Sequence, residues 1–331
     1  MKKMQVQINP YLEFMNSILL TSRYNEMTEA YIGYGLMTTE VNDYTSGIKQ
    51  LFAKYSNAPI YPFIEELIPN GFSFGRPVEM MLCVKDKDFA LKYEPSQLCI
   101  EYCGGRTKIN ELLGILKGFA HETNYFTYFE KAKEYYAPFI KKAEEIVNQY
   151  PYTSILEAEY GVEQNAYYYI LSGLMNGNYG ISFAVENKTG KDLYSVFATG
   201  DFSISPAILF HEYSHPFINP LTEKYEKLVR KYESAHELLT KYKLPGFLSG
   251  YGDWLECVNE HFVRSMVIHL LKKCSLQETA EEMLEYDLQK GYRYIPLILE
   301  RYKYYDENRN IFKNFDMLYP ELLKVFEDNC E

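Results

Sequence analysis

The sequence has no surplus of basic residues and no long apolar run. Lys and Arg together number 34, Asp and Glu together number 45, and the formal net charge is −11. Because proteins bind nucleic acids largely by neutralising phosphates with positive charge, this balance argues against a general nucleic-acid binder. A membrane-spanning helix needs roughly 18 or more apolar residues in succession. No stretch of this sequence reaches that length, so we expect no membrane-spanning segment.

The sequence also lacks a secretory signal and a disulfide framework. Met1-Lys2-Lys3 is basic, but no apolar segment follows it. The 6 cysteines are too few to cross-link a chain of 331 residues. Cys99 and Cys103 are four apart, but no second Cys or His pair stands near them, so free thiols are expected. These absences favour a cytoplasmic protein, or a secreted one if a leader has been removed.

What the sequence does contain is typical of a globular protein. Hydrophobic residues make up 47% of the chain and charged residues 24%, and 331 residues suffice for one large domain or two smaller ones. The chain contains 33 Tyr and 20 Phe residues. A groove that stacks substrate would use them, but we favour an aromatic-rich core, because Tyr both packs and hydrogen-bonds when it is buried.

The spacing of apolar residues predicts a predominantly α-helical α+β fold. In the first 150 residues we expect a loop over 85–106 and helices near 9–30, 44–55, 61–67, 77–84 and 108–148, the last kinked or divided at Pro138. Three later segments rich in β-favouring residues predict a small antiparallel sheet, at 166–171, 179–185 and 193–198. Further helices are expected at 221–243 and 253–273, with a loop between them over 244–252, and two or three more in 275–331.

One short stretch, His211-Glu212-x-x-His215, contains the pattern H-E-x-x-H. On a helix, residues four apart lie on the same face, so the two histidines can bind one metal ion through their imidazoles. Glu212, one position on, can reach a water held by that ion, which is the arrangement a metal hydrolase needs. The alternative is a buried helix whose two histidines are only hydrogen-bonded.

The helix that carries this motif is expected to be short. Ser205 suits the N-cap position and Pro206 the first helical position. Pro216 lacks a backbone donor and disfavours a regular helix around it. We therefore predict a helix of about three turns with the histidines in its last turn.

Two histidines need at least one more protein ligand. A third histidine in the pattern H-E-x-x-H-x-x-G-x-x-H is absent, because the positions that need Gly and His hold Ile218 and Leu221. A later predicted helix carries Glu256 and Glu260 on one polar stripe; we favour Glu260 and leave Glu256 open. The alternative for Glu260 is a simple ion pair with Arg264, four residues on. Competing ligands off that stripe are His261 and His269.

On these residues the sequence resembles known peptidases. A His-Glu-x-x-His pair followed by a Glu on a later helix looks like the gluzincin group of zinc peptidases, and Asn259-Glu260 resembles the N-E pair of aminopeptidases. The wider chain resembles an uncharacterised metallopeptidase-like family classed only as a domain of unknown function. The matching segments are Asn9-Pro10, 52–59, Tyr179-Gly180, 211–220, Glu260-x-x-x-Arg264 and Gly291-Tyr292-x-Tyr294.

The resemblance implies a zincin-like catalytic core that binds one Zn²⁺ ion and hydrolyses peptide bonds. We place this core in residues 151–331 and an N-terminal helical region in residues 1–150, and we expect the two to pack as one unit. The expected ligands of the ion are His211, His215 and Glu260.

The remaining residues of the expected site have chemical roles. Glu212 would act as the general base. Tyr292 or Tyr294 would supply a phenol to the developing oxyanion. Arg264 would lie outside the ligands and orient Glu260 or Asn259.

The leading hypothesis is a zinc-dependent peptidase acting on a peptide or protein substrate. One alternative is a catalytically inactive binding protein with the zincin fold. The other is a helical interaction protein in which the His pair is structural. The sequence leaves open the side-chain preference, the choice between internal and terminal cleavage, and the oligomeric state.

Overall fold

The computed structural model describes residues 3–199, 205–241 and 253–327. Helices make up 65% of the structure and a small four-stranded sheet accompanies them, so the prediction of a predominantly helical α+β fold is confirmed. The chain divides into two compact units. The N-terminal unit comprises residues 5–145 and 168–202, and the C-terminal unit comprises residues 146–167 and 203–331 with the first four residues.

The helices before residue 150 are shorter and more numerous than the spacing of apolar residues in the sequence predicts. They are α1 (Pro10–Thr21), α2 (Tyr24–Ile32), α3 (Asp43–Phe52), α4 (Ile60–Leu67), α5 (Gly75–Leu82), α6 (Gln97–Tyr102), α7 (Arg106–Thr123), α8 (Tyr125–Ala132) and α9 (Ala137–Val147). α1 begins where the sequence suggests, because the Asn9 side chain accepts from the backbone N–H groups of Tyr11 and Leu12 at 2.9 and 3.0 Å.

Local capping explains where these predictions differ from the structure. The expected helix 108–148 breaks at Asn124, whose φ of 51° is left-handed. Its last part, α9, begins one residue before Pro138, which suits proline in a first turn. The expected loop 85–106 contains α6, because the Ser96 hydroxyl accepts from the Cys99 N–H at 3.1 Å and caps that helix.

The sheet has four strands: β1 (Met4–Ile8), β2 (Ala166–Ser172), β3 (Tyr179–Ala184) and β4 (Lys191–Ala198). Their order is β1-β2-β4-β3, and β3 pairs antiparallel with β4 from Tyr179 opposite Val196 to Ala184 opposite Lys191. The sheet as a whole is mixed, so the prediction of an antiparallel sheet is right for this hairpin and wrong for the sheet as a whole. The sequence prediction also missed β1, a five-residue strand with alternating exposure at its edge.

Residues 168–199, which contain β3, β4 and most of β2, belong to the N-terminal unit. The reason is packing within that unit. The ring of Tyr93 stacks on Phe183 with 4.5 Å between centroids. Its hydroxyl donates to Asp192 and lies 2.9 Å from the hydroxyl of Tyr194. These contacts attach β3 and β4 to residues far earlier in the chain.

The C-terminal unit is helical. Its helices are α10 (Tyr152–Tyr160), α11 (Pro206–Lys224), α12 (Glu226–Val229), α13 (Ser234–Lys241), α14 (Trp254–Lys273), α15 (Gln277–Gln289), α16 (Ile295–Glu307) and α17 (Phe315–Leu322). α14 packs against α11, α12, α15 and α16 and is buried on most of its circumference, as expected for a central helix. The expected loop 244–252 lies outside the described residues. Among the helices that the structure describes, none is long and apolar enough to cross a membrane.

α11 continues through two prolines, so the prediction of a three-turn helix is wrong. The helix runs past Pro216 and Pro220 and ends at Lys224. Each proline removes a backbone hydrogen bond, but packing of the surrounding segment outweighs that cost. Phe217 is buried and stacks on Tyr160 of α10 with 4.3 Å between ring centroids. The extension matters for the site, because it places Asn219 on the same helix one turn after His215.

Candidate metal centre

Helices α11 and α14 bring three possible metal-ligand atoms together. The Nε2 atoms of His211 and His215 are 3.1 Å apart. Glu260 Oε1 lies 3.4 Å from Nε2 of His215 and 3.8 Å from Nε2 of His211. The structure therefore places the three residues expected to bind a metal in one group, within the C-terminal unit.

The spacing of these atoms fits a tetrahedral metal ion. Atoms at about 2.0–2.2 Å from a tetrahedral Zn²⁺ lie about 3.3–3.6 Å from one another, and the three observed distances are 3.1, 3.4 and 3.8 Å. The side chains of His211, His215 and Glu260 are 19%, 14% and 13% exposed, so each remains partly accessible to solvent. Two imidazoles and one carboxylate are also a donor set that zinc takes in catalytic sites.

The protonation of the histidines suits metal binding. Burial lowers the pKa of His211 to about 3; the Glu260 carboxylate opposes this shift, and His215 and Arg264 add to it. His211 is therefore a neutral imidazole at pH 7, with a lone pair available for a cation. His215 Nδ1 lies 3.2 Å from Asn219 Oδ1, an oxygen that can only accept. A proton of His215 is accordingly on Nδ1, and Nε2 is the nitrogen that faces His211.

Glu260 uses its two oxygens for two different partners. Oε1 faces the histidines, and Oε2 accepts from Arg264 Nε at 3.0 Å. From the sequence, a metal-ligand role and an ion pair with Arg264 were alternatives for Glu260. The structure accommodates both at once, because each needs only one oxygen. Arg264 thus lies outside the three possible ligands and contacts one of them.

Arg264 has two further neighbours. Its Nη1 donates to Asp287 Oδ1 at 2.7 Å, and its guanidinium lies over the ring of Tyr292 at 4.4 Å from the centroid. Asp287 is fully buried on α15. Burial raises the pKa of Asp287, although the adjacent Arg264 lowers it. The sequence prediction missed Asp287, because nothing in the local pattern of α15 indicates that it contacts α14.

Asn219 is the second residue that the sequence prediction missed. It accepts from His215 at the nitrogen opposite the one facing His211, and such partners fix the tautomer and orientation of a metal-binding imidazole. Its spacing, four residues after His215, is a signal that could have found it. The prediction that the helix ends near Pro216 hid this relationship.

The predicted catalytic residues all lie in the C-terminal unit. Glu212 is 8% exposed and follows His211 on α11. Tyr292 and Tyr294 are each 2% exposed. The ring of Tyr292 lies on Arg264 and edge-on to His261, whereas Tyr294 packs against His261 and Phe326. Tyr292 is therefore connected to the three-residue group through Arg264, and Tyr294 contacts the aromatic side chains beside it.

Asn259 connects helices. Its side-chain oxygen accepts from the hydroxyl of Thr222, which also hydrogen-bonds the hydroxyl of Tyr319. Thr222 has a single hydroxyl proton, so Tyr319 must donate to it. Asn259 thereby ties α14 to the end of α11, one residue before Glu260.

The other candidate ligands on α14 fall outside this group. Glu256 is exposed at the start of the helix. His261 is fully buried, and its Nδ1 lies 2.8 Å from the carbonyl oxygen of Cys257, to which it donates. Of the two glutamates on the polar stripe, the geometry therefore favours Glu260.

His269 belongs to a second group, with Glu159 and Asp306. Its Nε2 lies 3.5 Å from Glu159 Oε1 and 3.3 Å from Asp306 Oδ2. Lys273 pairs with the same two carboxylates at 2.5 and 2.6 Å, and Arg309 reaches Glu159 at 3.0 Å. Two cations already balance two carboxylates here. A divalent ion would add two uncompensated positive charges to a largely buried site, which is costly.

This second group favours the protonated, positively charged form of His269. Burial alone would lower the pKa of His269, but hydrogen bonds to Asp306 and Glu159 outweigh burial, and the pKa is raised. The group therefore joins α10, α14 and α16 as an ion network. In the group of His211, His215 and Glu260, by contrast, the described cation bound to the carboxylate is Arg264.

Comparison with known proteins gives the family of this chain. Residues 4–325 match a family described as "Domain of unknown function (DUF4932)", and the chain belongs to that family. Among curated proteins and solved structures, none matches the chain.

Proposed function

We propose that this protein is a zinc-dependent peptidase whose active site is the group His211, His215 and Glu260. One observation carries the proposal: two imidazole nitrogens and one carboxylate oxygen lie 3.1–3.8 Å from one another. Three protein ligands leave one position of a tetrahedral ion open for water or substrate, as catalytic zinc sites require. When bound, Zn²⁺ would supply Lewis acidity that lowers the pKa of a water and polarises a carbonyl group.

Side chains of the protein would carry out the proton transfers and stabilise the developing charge. The carboxylate of Glu212, one residue after a ligand, would accept the proton of the attacking water and later give it to the leaving amine. Tyr292 or Tyr294 would donate a phenolic hydrogen bond to the oxygen of the scissile carbonyl as negative charge develops there. His215 is held by Asn219 and Glu260 by Arg264, so neither ligand has to reorient during the reaction.

The substrate class that follows from this chemistry is a peptide or a protein. The position of Glu212 supports its assignment as the base, because it follows His211 directly on α11 and is 8% exposed. The alternative is a protein that binds metal in the same way without turnover, and it makes the opposite prediction for Glu212.

The test is cleavage of a peptide library by the zinc-loaded protein, with Glu212→Gln as the matched variant. Gln keeps the size of Glu but cannot accept a proton. If the proposal holds, Glu212→Gln lowers the rate by roughly 10²–10⁴-fold and keeps its zinc. A zinc-loaded wild type that cleaves no member of the library, or a variant as active as the wild type, would contradict it.

A further inference from the structure

Asp287 is the deepest charged residue near the metal centre. It is fully buried, and its only charged contact among the described residues is the 2.7 Å ion pair with Arg264 Nη1. Its other oxygen, Oδ2, is a buried atom with no hydrogen-bond partner in the described part of the chain. A buried carboxylate is energetically costly unless it is paired. The charged form of Asp287 is therefore stabilised in the folded protein by the guanidinium of Arg264.

Arg264 in turn is held on three sides. Nη1 contacts Asp287, Nε contacts Glu260 Oε2 at 3.0 Å, and the ring of Tyr292 covers one face of the guanidinium. The backbone N–H of Tyr292 donates to the carbonyl of Asp287 at 3.0 Å, which fixes this ring relative to α15. A planar guanidinium with fixed donors imposes its orientation on the carboxylates it contacts.

The orientation has a consequence at Glu260. Because Oε2 is occupied by Arg264, only Oε1 is directed toward the histidines. The charges have a consequence too. Arg264 places a positive charge beside a site for a cation, and the negative charge of Asp287 offsets it. Without Asp287, the positive charge of the guanidinium would repel the ion without compensation, and the guanidinium would lose one of the contacts that orient it.

We propose that Asp287 is a positioning residue of the metal centre that acts through Arg264. It holds the guanidinium on Glu260 Oε2 and offsets its charge, so that Glu260 offers one oxygen and its full negative charge to a divalent cation. This inference rests on the metal centre of the proposed function and assigns to it a residue from a third helix, α15.

The test is a titration of the metal-free, full-length protein with Co²⁺, which replaces Zn²⁺ and reports its coordination number in visible absorption. The variants are Asp287→Asn, Arg264→Met and the double variant. The matched control is Glu282→Gln, which removes one exposed carboxylate from the same helix.

We expect Asp287→Asn to weaken Co²⁺ binding by about 10–100-fold, the usual effect of losing an outer partner of a ligand. The visible absorption per bound Co²⁺ should fall, because a released Glu260 binds through both oxygens and raises the coordination number. In the Arg264→Met background, Asp287→Asn should change the affinity less than about twofold, because the residues no longer share an interaction. Glu282→Gln should match the wild type.

A residue that only stabilised the fold would give another pattern: Asp287→Asn would unfold more readily, while the absorption of bound Co²⁺ stayed that of the wild type. That pattern overturns the inference. If Asp287→Asn does not fold, Arg264→Lys replaces it, because Lys keeps the charge but cannot bridge two carboxylates in a fixed plane. We expect the same fall in absorption.

The two proposals fail in different ways. A wild type that takes up no Co²⁺ would overturn the metal centre itself. A wild type that binds Co²⁺, with Asp287→Asn and Arg264→Lys indistinguishable from it in affinity and absorption, would overturn the role of Asp287 and leave the metal centre standing.

Discussion

Asn219 accepts a hydrogen bond from His215 across one turn of α11, with 3.2 Å between Oδ1 and Nδ1. The two residues are on the same helix only because that helix continues through Pro216. The contact sets the tautomer of His215, and so the nitrogen with the free lone pair is the one that faces His211 and Glu260. The continuation of α11 through Pro216 thus determines which nitrogen of His215 faces the metal centre.

We expect Asn219→Ala to weaken zinc binding by about 10-fold, because His215 would lose its fixed tautomer and orientation. Asn219→Asp should bind at least as tightly as the wild type, because a carboxylate accepts the same hydrogen bond and adds negative charge. Competition with a chromophoric chelator measures both. Glu223→Ala, an exposed change on the same helix, is the control. Equal affinity for Asn219→Ala and the control would show that the contact does not serve metal binding.

The ion network of His269 predicts a pH dependence of stability. The pKa of His269 is raised in the folded state: burial opposes the shift, and Asp306 and Glu159 outweigh burial. A group with a raised folded pKa contributes stability that is fully present below its unfolded pKa, near 6.5. This contribution is lost as the pH rises through the folded pKa.

The comparison is between the wild type and His269→Gln in denaturant unfolding of the metal-free protein. We expect the variant to be less stable by about 1–3 kcal/mol at pH 5.5, and the gap to shrink steadily toward pH 9. His121→Gln, at an exposed position, should show no such trend. A gap that is constant or grows with pH would contradict a protonated His269 in the network.

Thr222 offers a prediction that separates stability from metal binding. Its hydroxyl donates to Asn259 and accepts from Tyr319, and the residue is fully buried. Thr222→Val keeps the shape of the side chain but removes its hydroxyl, so Asn259 and Tyr319 each lose a hydrogen-bond partner. This should lower the free energy of unfolding by about 1–3 kcal/mol.

The zinc content of Thr222→Val should stay that of the wild type, because the hydroxyl contacts none of the three expected ligands among the described residues. Unfolding and elemental analysis of the same preparation measure both quantities. A variant with normal stability and reduced zinc would instead indicate that Asn259 helps to hold Glu260 in place.

The sequence predicted those features that depend on local patterns. The motif residues His211 and His215 lie on a helix because of their apolar neighbours, and helical spacing put Glu260, together with Glu256, on the polar stripe of a second predicted helix. Apolar spacing predicted a helix near residues 9–30, and α1 begins there, at Pro10. Each of these signals lies within a few residues of the feature it predicts.

The features that were missed depend on contacts distant in sequence. α11 passes Pro216 because Phe217 stacks on Tyr160, which lies in α10. Asp287 belongs to the site because α15 packs against α14 and places it beside Arg264. Propensity is a weak local term, and tertiary contacts of this kind override it.

The most direct test of the metal centre is elemental analysis of the purified protein after zinc has been supplied and excess removed. Glu260→Ala is compared with Glu256→Ala, because both remove a glutamate from α14 and only Glu260 faces the histidines. We predict one zinc per chain in the wild type and in Glu256→Ala, and loss of zinc in Glu260→Ala. A wild type without zinc, or a Glu260→Ala variant that retains it, would contradict the three-ligand site on which the proposed peptidase depends.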